Sequence, residues 1–447
     1  MPEVTLEQIL NSREKRAKKQ KELITSYSCP LICFTMNIAG PTKVTPLIKR
    51  AFYEGVKLLD SALSSKNILF REIEIFDTGC EAMYSVSLSA NKLKSLSLHI
   101  ENTSAIGRLF DIDVIDTNFK KIERSTQRGC IVCGASGRGC AASRAHSVKE
   151  LQTVTNNIIT EYFKSADTDK IVSIATNSLL QEVHTTPKPG LVDCNNSGSH
   201  KDMDINTFIK SIDALGPYFR ECVTIGQESA PLSPNKTFDL LKSAGIEAEK
   251  AMYSATNGVN TYKGIIYSLG ILCGVVGRLW KPEKPIAKAS DIFAMCAEIV
   301  KPSLEKSFGD IGKSTAGGRL YFENNITGIR GEVASGFSSV TSISLPAYKK
   351  ALENGLSQND AGVTALLHLI SKVKDTNLYH RGGEEGAKYA ANSARLLLES
   401  FPPDMKKIEE LDRDFISKNL SPGGCADLLA ITFFIYNLDG KYKNHSY

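Results

Sequence analysis

The spacing of apolar positions divides the chain into two textures. At the start, Thr5-Leu6-Glu7-Gln8 fits a capping box, in which the first and last side chains satisfy each other's backbone N–H groups. It predicts a helix that continues through the basic stretch to Lys21. Apolar runs or alternation then predict strands at Leu31–Ile38, Ile68–Phe76, Ala82–Leu88 and Phe110–Ile115, with a helix at Thr45–Leu63. From about Val148 the period changes. Apolar residues recur every three or four positions through 151–163, 170–183, 205–222, 236–256, 262–279, 289–306, 361–373, 386–399 and 423–437, as in helices that bury one face. The expected architecture is multidomain: an N-terminal α/β domain over residues 1–165, then a larger all-α domain over 166–447. The polar, turn-rich Ser165–Lys170 marks the junction.

Composition narrows the class. An apolar fraction of 42% with 23% charged residues suits a soluble globular chain and excludes a wholly disordered one. The longest uncharged apolar stretch, Gly264–Gly277, is shorter than the ~20 residues a membrane helix needs and is interrupted by Ser268, Gly270 and Gly274. Met1-Pro2-Glu3 leads into a charged run, so no signal peptide is expected. Eleven cysteines, an odd number scattered over a long chain, suit a reducing compartment; the expectation is a cytoplasmic protein with no membrane partner. The net charge of +5 is unevenly placed. Residues 1–150 hold 22 Lys and Arg against 16 Asp and Glu, and the remainder 32 against 33. The excess is too small to imply nucleic acid, but it suits an acidic protein or a phosphorylated ligand.

Inter-helix connections are usually short and bland. Here five are rich in groups suited to phosphate and metal: His184–Asp193 with Asn195, Asn196 and His200–Asp204; Asn257–Gly264; Gly328–Glu332; Asp375–Asn377 with Arg381–Gly383; and Asn419–Asp427. Carboxylates bind hard divalent cations, which bridge phosphate oxygens. Lysine and arginine neutralise phosphate charge, and glycine lets backbone N–H groups approach an anion. Helix capping explains any one of these loops, but not all five together. Asp202 and Asp204, two apart at a helix start, could share a divalent cation, and Asp375 is expected to bind metal with them. Lys188, Lys263, Arg330 and Arg381 are the expected phosphate ligands. Gly312-Lys313-Ser314 matches the end of a P-loop, but Ser307 stands where its first glycine belongs, so it is read as a false match.

Segments Thr186–Asp193, His200–Asp204, Gly258–Gly264, Gly328–Glu332, Asp375–Gly383 and Asn419–Asp427 resemble, in order, those of triphosphoribosyl-dephospho-CoA synthase of the citrate lyase system. The resemblance implies an all-α fold, a Mg²⁺ requirement and a reaction of ATP with 3′-dephospho-CoA that releases adenine. It adds Asn377 and Asp427 to the substrate-binding set. Displacing adenine from ribose passes through an oxocarbenium-like state, so a carboxylate is needed near the attacking hydroxyl. Asp202, Asp204, Glu332 and Asp375 are the candidates. Two positions depart from the family pattern: Cys194 stands where arginine is expected, and Tyr262 where histidine is expected.

In the N-terminal third, Gly107-Arg108-Leu109-Phe110-Asp111-Ile112-Asp113 puts two carboxylates on one face of a strand, a usual magnesium arrangement in nucleotidyl transfer. With Arg13–Arg16, Asn37–Lys43, Asp77–Glu81 and Arg128–His146, it resembles holo-citrate-lyase synthase over about residues 5–160. That implies a nucleotidyltransferase-like domain. It would transfer phosphoribosyl-dephospho-CoA to a serine of the lyase's acyl carrier protein, with Asp111 and Asp113 holding magnesium and Arg13, Lys43 and Arg108 holding phosphates. The same chemistry serving malonate decarboxylase, and an N-terminal domain that only docks the carrier, are the alternatives. Finally, Cys130-x2-Cys133-x6-Cys140-x5-His146 has ligand types and spacing suited to Zn²⁺. The alternative there is buried thiols, with Arg128, Arg138, Arg144 and His146 facing an anion.

Overall fold

A computed structural model of the chain describes residues 3–124, 126–310 and 326–443. It resolves into two compact units, Met1–Ala166 and Asp167–Ser446. The Gly312–Ser314 segment lies outside the described residues.

The first unit is built on four strands, β1 (Leu31–Met36), β2 (Ile68–Phe76), β3 (Gly79–Val86) and β4 (Phe110–Ile115), in the order β2-β3-β1-β4. Every pairing is antiparallel. The unit is therefore α+β, correcting the α/β expectation. The tight Asp77-Thr78 turn joins β2 directly to β3, so no parallel crossover forms there. Helices α1 (Leu6–Tyr27), α2 (Pro46–Ala62), α3 (Ala90–Thr103) and the short α4 (Gly137–Ser143) complete the unit. The Thr5 capping box that starts α1 forms as expected, with Gln8 N–H donating to Thr5 Oγ1 and Thr5 N–H to Gln8 Oε1. One face of the sheet packs Phe34 between Phe52 and Phe110, with ring centroids 5.0 and 5.2 Å apart. Gly55 lets α2 approach, because a Cβ there would lie 2.3 Å from the Phe34 ring. The opposite face buries Leu31, Cys33 and Met83 under Leu23 and Ile24 of α1.

The 37-residue helix α5 (Val148–His184) runs straight through the expected junction. Ser165–Lys170 is helical, because its polar side chains find partners rather than turning the chain. Asp167 accepts from Trp280 Nε1 at 2.8 Å, Thr168 from Gln227 at 3.2 Å, and Asp169 pairs with Arg220.

Among the described residues, the extended elements of the second unit are all helices. It comprises α6 (Ile205–Ser229), α7 (Pro234–Ala255), α8 (Lys263–Leu279), α9 (Ala289–Asp310), α10 (Gly328–Ala334), α11 (Leu345–Glu353), α12 (Gln358–Lys372), α13 (Thr376–Leu397), α14 (Met405–Ser417) and α15 (Gly423–Lys443), together with the end of α5. The apolar Gly264–Gly277 stretch forms most of α8, which is buried along its length against α6. Its glycines bring backbones into contact: a Cβ on Gly277 would stand 2.1 Å from Val223 O, and one on Gly226 1.9 Å from Gly274 O. Among the described residues, no helix is long and apolar enough to cross a membrane. Two of the expected loops are not loops. Gly328–Glu332 opens α10, and Arg381–Gly383 lies within α13, which kinks at Gly383 (φ 64°, ψ −165°). That backbone conformation is essentially restricted to glycine.

Candidate functional site

In the helical unit, the start of α8, the start of α13, the start of α15 and the loop after α5 surround one cavity of about 410 Å³. Three helix N-termini thus border the same space, and the positive ends of their dipoles favour an anionic ligand there. Lys188, Lys263, Arg330, Asn377, Arg381 and Asp427 all line it, as do Glu182, Glu249, His200, Tyr262 and Tyr267.

The cations are held in different ways. Lys188 is buried and donates to the Glu182 carboxylate and, at 2.8 Å, to its carbonyl. Lys263 pairs with Glu249 at 2.9 Å. Arg381 donates to Ser199 O and Asn419 Oδ1, each at 2.9 Å, and lies 3.2 Å from His200 Nδ1. His200 Nε2 is 3.0 Å from Ser421 Oγ, and burial, then Arg381, lowers its pKa. Arg330 makes no ion pair among the described residues and stands 5.8 Å over the Tyr267 ring.

The acids decide the chemistry. Asp427 has no hydrogen-bond partner among the described residues, and burial, then Glu182 and Asp375, pushes its pKa well above the usual carboxylate range. Gly264 opens the space for it: a Cβ there would meet Asp427 Oδ2 at 2.0 Å. Beside these acids the Tyr262 hydroxyl is buried without a partner, its pKa raised by burial and by the charges of Glu182 and Asp427.

In the first unit, Asp111 and Asp113 share the α1 face of the sheet. The register continues that face across Thr35 to Glu81 and Glu74, and across Cys33 to Met83 and Glu72. Basic side chains answer the acids: Arg16 pairs with buried Glu81 (Nε to Oε1 2.8 Å), Lys19 with Glu72 and Glu74, and Lys121 with Asp113 at 2.7 Å. Asp111 has its pKa raised, by burial and then by Asp113. Exposed Arg13 lies close enough to Lys43 to help lower the lysine's pKa, after burial, while Lys43 donates to Ile38 O at 2.5 Å. Arg108 donates to Gly129 O at 2.7 Å.

Two family models match the chain. Apo-citrate lyase phosphoribosyl-dephospho-CoA transferase matches residues 4–162, and ATP:dephospho-CoA triphosphoribosyl transferase matches 168–446. Protein CitXG of Haemophilus influenzae is 33% identical over 98% of this chain and 97% of its own length. Its namesake from Leuconostoc mesenteroides is 31% identical over 98% of each. The chain belongs to the CitXG family. It is accordingly a transferase with both activities, and serves the biosynthesis of the citrate lyase prosthetic group. A 2-(5''-triphosphoribosyl)-3'-dephosphocoenzyme-A synthase from Pectobacterium atrosepticum is 38% identical over 64% of this chain and 94% of its own.

Within this CitXG-family chain, four carboxylates expected at the synthase site are not among the residues that line the cavity. Asp375 accepts from Asn377 N and Cys425 N at 2.7 and 2.8 Å and from Leu378 N at 3.2 Å, so it caps α13 and ties it to α15. Asp204 caps α6 through Thr207 N at 2.8 Å. Exposed Asp202 does not line the cavity. Glu332 accepts from Ser339 N at 3.1 Å and from its hydroxyl. Of the two departures, Tyr262 lines the cavity and exposed Cys194 does not. Glu182 and Glu249 were not singled out from sequence: each lies within an apolar-periodic helix, where it reads as part of the polar face. Cys130, Cys133, Cys140 and His146 do come together, with one ligand atom of each within 4.8 Å of the others.

Proposed function

We propose that the helical unit joins ATP to 3′-dephospho-CoA, and that the N-terminal unit then attaches the product to the citrate lyase acyl carrier protein. The observation that carries the first step is the unpartnered Asp427 among cations and helix N-termini in one cavity. In that step the 2′-oxygen of dephospho-CoA bonds to C1′ of the ATP ribose. The C1′–N9 bond breaks, and adenine leaves with its electrons and takes up a proton. Asp427, its proton affinity raised by burial, accepts the hydroxyl proton. Arg330, Arg381 and Lys263 hold the triphosphate, aided by the starts of α8, α13 and α15. Magnesium does not fit as a resident ion here. Glu182 is held by buried Lys188, Asp204 and Asp375 are occupied in capping, and among the described residues no three carboxylate or imidazole groups of this cavity converge on one point. Magnesium instead arrives with the ATP phosphates.

In the second step the carrier serine oxygen bonds to the α-phosphorus of the triphosphate and pyrophosphate leaves, as in a nucleotidyltransferase. Asp111 and Asp113 fit a magnesium ion taken in exchange for Lys121, which pairs with Asp113 from a half-exposed position: they share one face, and the charge of Asp113 adds to the burial that raises the pKa of Asp111, a repulsion that a cation relieves. Such an ion would neutralise the departing pyrophosphate. Arg108, Arg13 and Lys43 would contact phosphate, and the surplus positive charge of residues 1–150 suits an acidic carrier. Incubation of the chain with magnesium, ATP, 3′-dephospho-CoA and apo carrier, followed by intact-mass measurement, tests the reading. The expected result is adenine release and a carrier heavier by the whole phosphoribosyl-dephospho-CoA group. Adenine release with an unchanged carrier mass overturns the second step, and no adenine overturns the first.

A further inference from the structure

We propose that Cys130, Cys133, Cys140 and His146 form a closed structural zinc site that fastens the 128–146 segment against the strand bearing Asp111 and Asp113. Three thiols and one imidazole are a complete tetrahedral zinc set, with no position left for a substrate or water. Zinc–sulfur bonds of about 2.3 Å in a tetrahedron place ligand atoms roughly 3.7 Å apart. Here Cys133 Sγ lies 3.5 Å from Cys140 Sγ and 3.3 Å from His146 Nε2, and all four ligand atoms fall within 4.8 Å of one another.

The backbone is shaped for such a site. Cys130 N–H donates to Ala135 O at 2.6 Å, Gly134 N–H returns to Cys130 O at 2.9 Å, and Val132 N–H points at Cys130 Sγ at 3.4 Å. Gly134 turns the chain at φ 73°, where a side chain is disfavoured. Backbone donors to a sulfur orient and stabilise a metal-bound thiolate. Helix α4, which carries Cys140, is seven residues long and buries none of them. A helix that short does not persist in water without an external tether.

The site is laced to residues 107–112. Arg128 donates to Phe110 O at 2.5 Å and pairs with buried Glu101 at 3.1 Å, Arg108 reaches back to Gly129 O at 2.7 Å, and Glu101 also accepts the Ile112 N–H at 2.9 Å. Zinc thus acts as a positioning device for Arg108 and the paired aspartates. That consequence rests on the transferase role proposed above, whereas zinc binding does not.

The test uses the full chain, purified under reducing conditions without chelator. Elemental analysis is expected to find one zinc per chain. Replacement by Co²⁺ is expected to give the visible absorption of tetrahedral cobalt thiolate. C133S and C140S are expected to lose the metal and show faster amide exchange over residues 107–112. They should load carrier at least tenfold more slowly while releasing adenine at the wild-type rate, which also reports that the helical unit remains folded. A metal-free wild type that takes up neither zinc nor cobalt, or a Cys133–Cys140 disulfide formed in its place, overturns the site. Loss of metal with unchanged exchange over 107–112 overturns the fastening, whatever happens to carrier loading.

Discussion

Asp427 stands beside Glu182 in a wall where burial already opposes its charge, and nothing among the described residues donates to it. A group so placed destabilises the fold in its charged form. Below the ordinary carboxylate pKa it is protonated in both folded and unfolded chains. As pH rises through the window up to its raised folded value, the unfolded chain ionises first, so stability is lost across that window and stays lost above it. Asp427→Asn removes this effect: the variant is expected to melt higher than wild type at neutral pH, with the gap closing as pH falls toward the ordinary carboxylate value. The same substitution is expected to slow adenine release by about 10²–10⁴-fold, the usual contribution of a general base. In the wild type the acid limb of kcat/KM should lie above the ordinary carboxylate pKa, and the variant should lack it. A variant that melts no higher and keeps its rate would remove Asp427 from the chemistry. Tyr262 makes a similar case at the next position in the wall. Its buried hydroxyl has no partner, so Tyr262→Phe should stabilise the free protein slightly, since an unsatisfied polar group is costly to bury. If the hydroxyl is held for substrate, KM should rise in steady-state assays.

Capping and binding use the same residue types, which limited what could be read at the scale of elements. Asp375 closes α13 and reaches Cys425 N at the start of α15, so one carboxylate sets the relation of two cavity-lining helix ends. Asp375→Ala leaves the Asn377 and Leu378 N–H groups unmet and Cys425 N with Pro422 O alone, and is expected to cost about 3 kcal/mol in denaturant unfolding, from a lost cap and buried unsatisfied groups together. Asp375→Asn, which keeps one acceptor oxygen, should cost less. Sequence spacing placed β4 and the helical period well, because those elements bury one face and their apolar residues must recur in step. It failed where partners are remote. Ser165–Lys170 looked like a turn because the residues that satisfy Asp167 and Thr168, Trp280 and Gln227, lie far along the chain. For the same reason the phosphate-type side chains of the five segments were legible as a set, while Asp375, Asp204 and Glu332 could not be separated from Asp427. Whether a carboxylate caps a helix or faces a cavity is decided by tertiary contacts.

At the scale of the whole molecule, the two units carry their acids on unrelated scaffolds, Asp111 on an antiparallel sheet and Asp427 at a helix start. The two sets share no residue, so the two activities should be separable by substitution. Asp111→Asn is expected to abolish carrier loading while leaving adenine release intact, and Asp427→Asn to do the reverse when supplied with the ready-made triphosphate intermediate. Mixing the two variants with ATP, 3′-dephospho-CoA and apo carrier then asks whether the intermediate leaves the chain that made it. It is a small, highly charged solute, and a cavity that must admit ATP and dephospho-CoA also offers it an exit. The mixture is therefore expected to load carrier, after a lag during which intermediate accumulates and which shortens as protein concentration rises. Loading by the intact chain, but none by the mixture even after adenine release has run to completion, would mean that the intermediate passes between units without entering solution. Loading by the mixture with no lag, at the intact chain's rate, would mean that free intermediate is captured as fast as it is made.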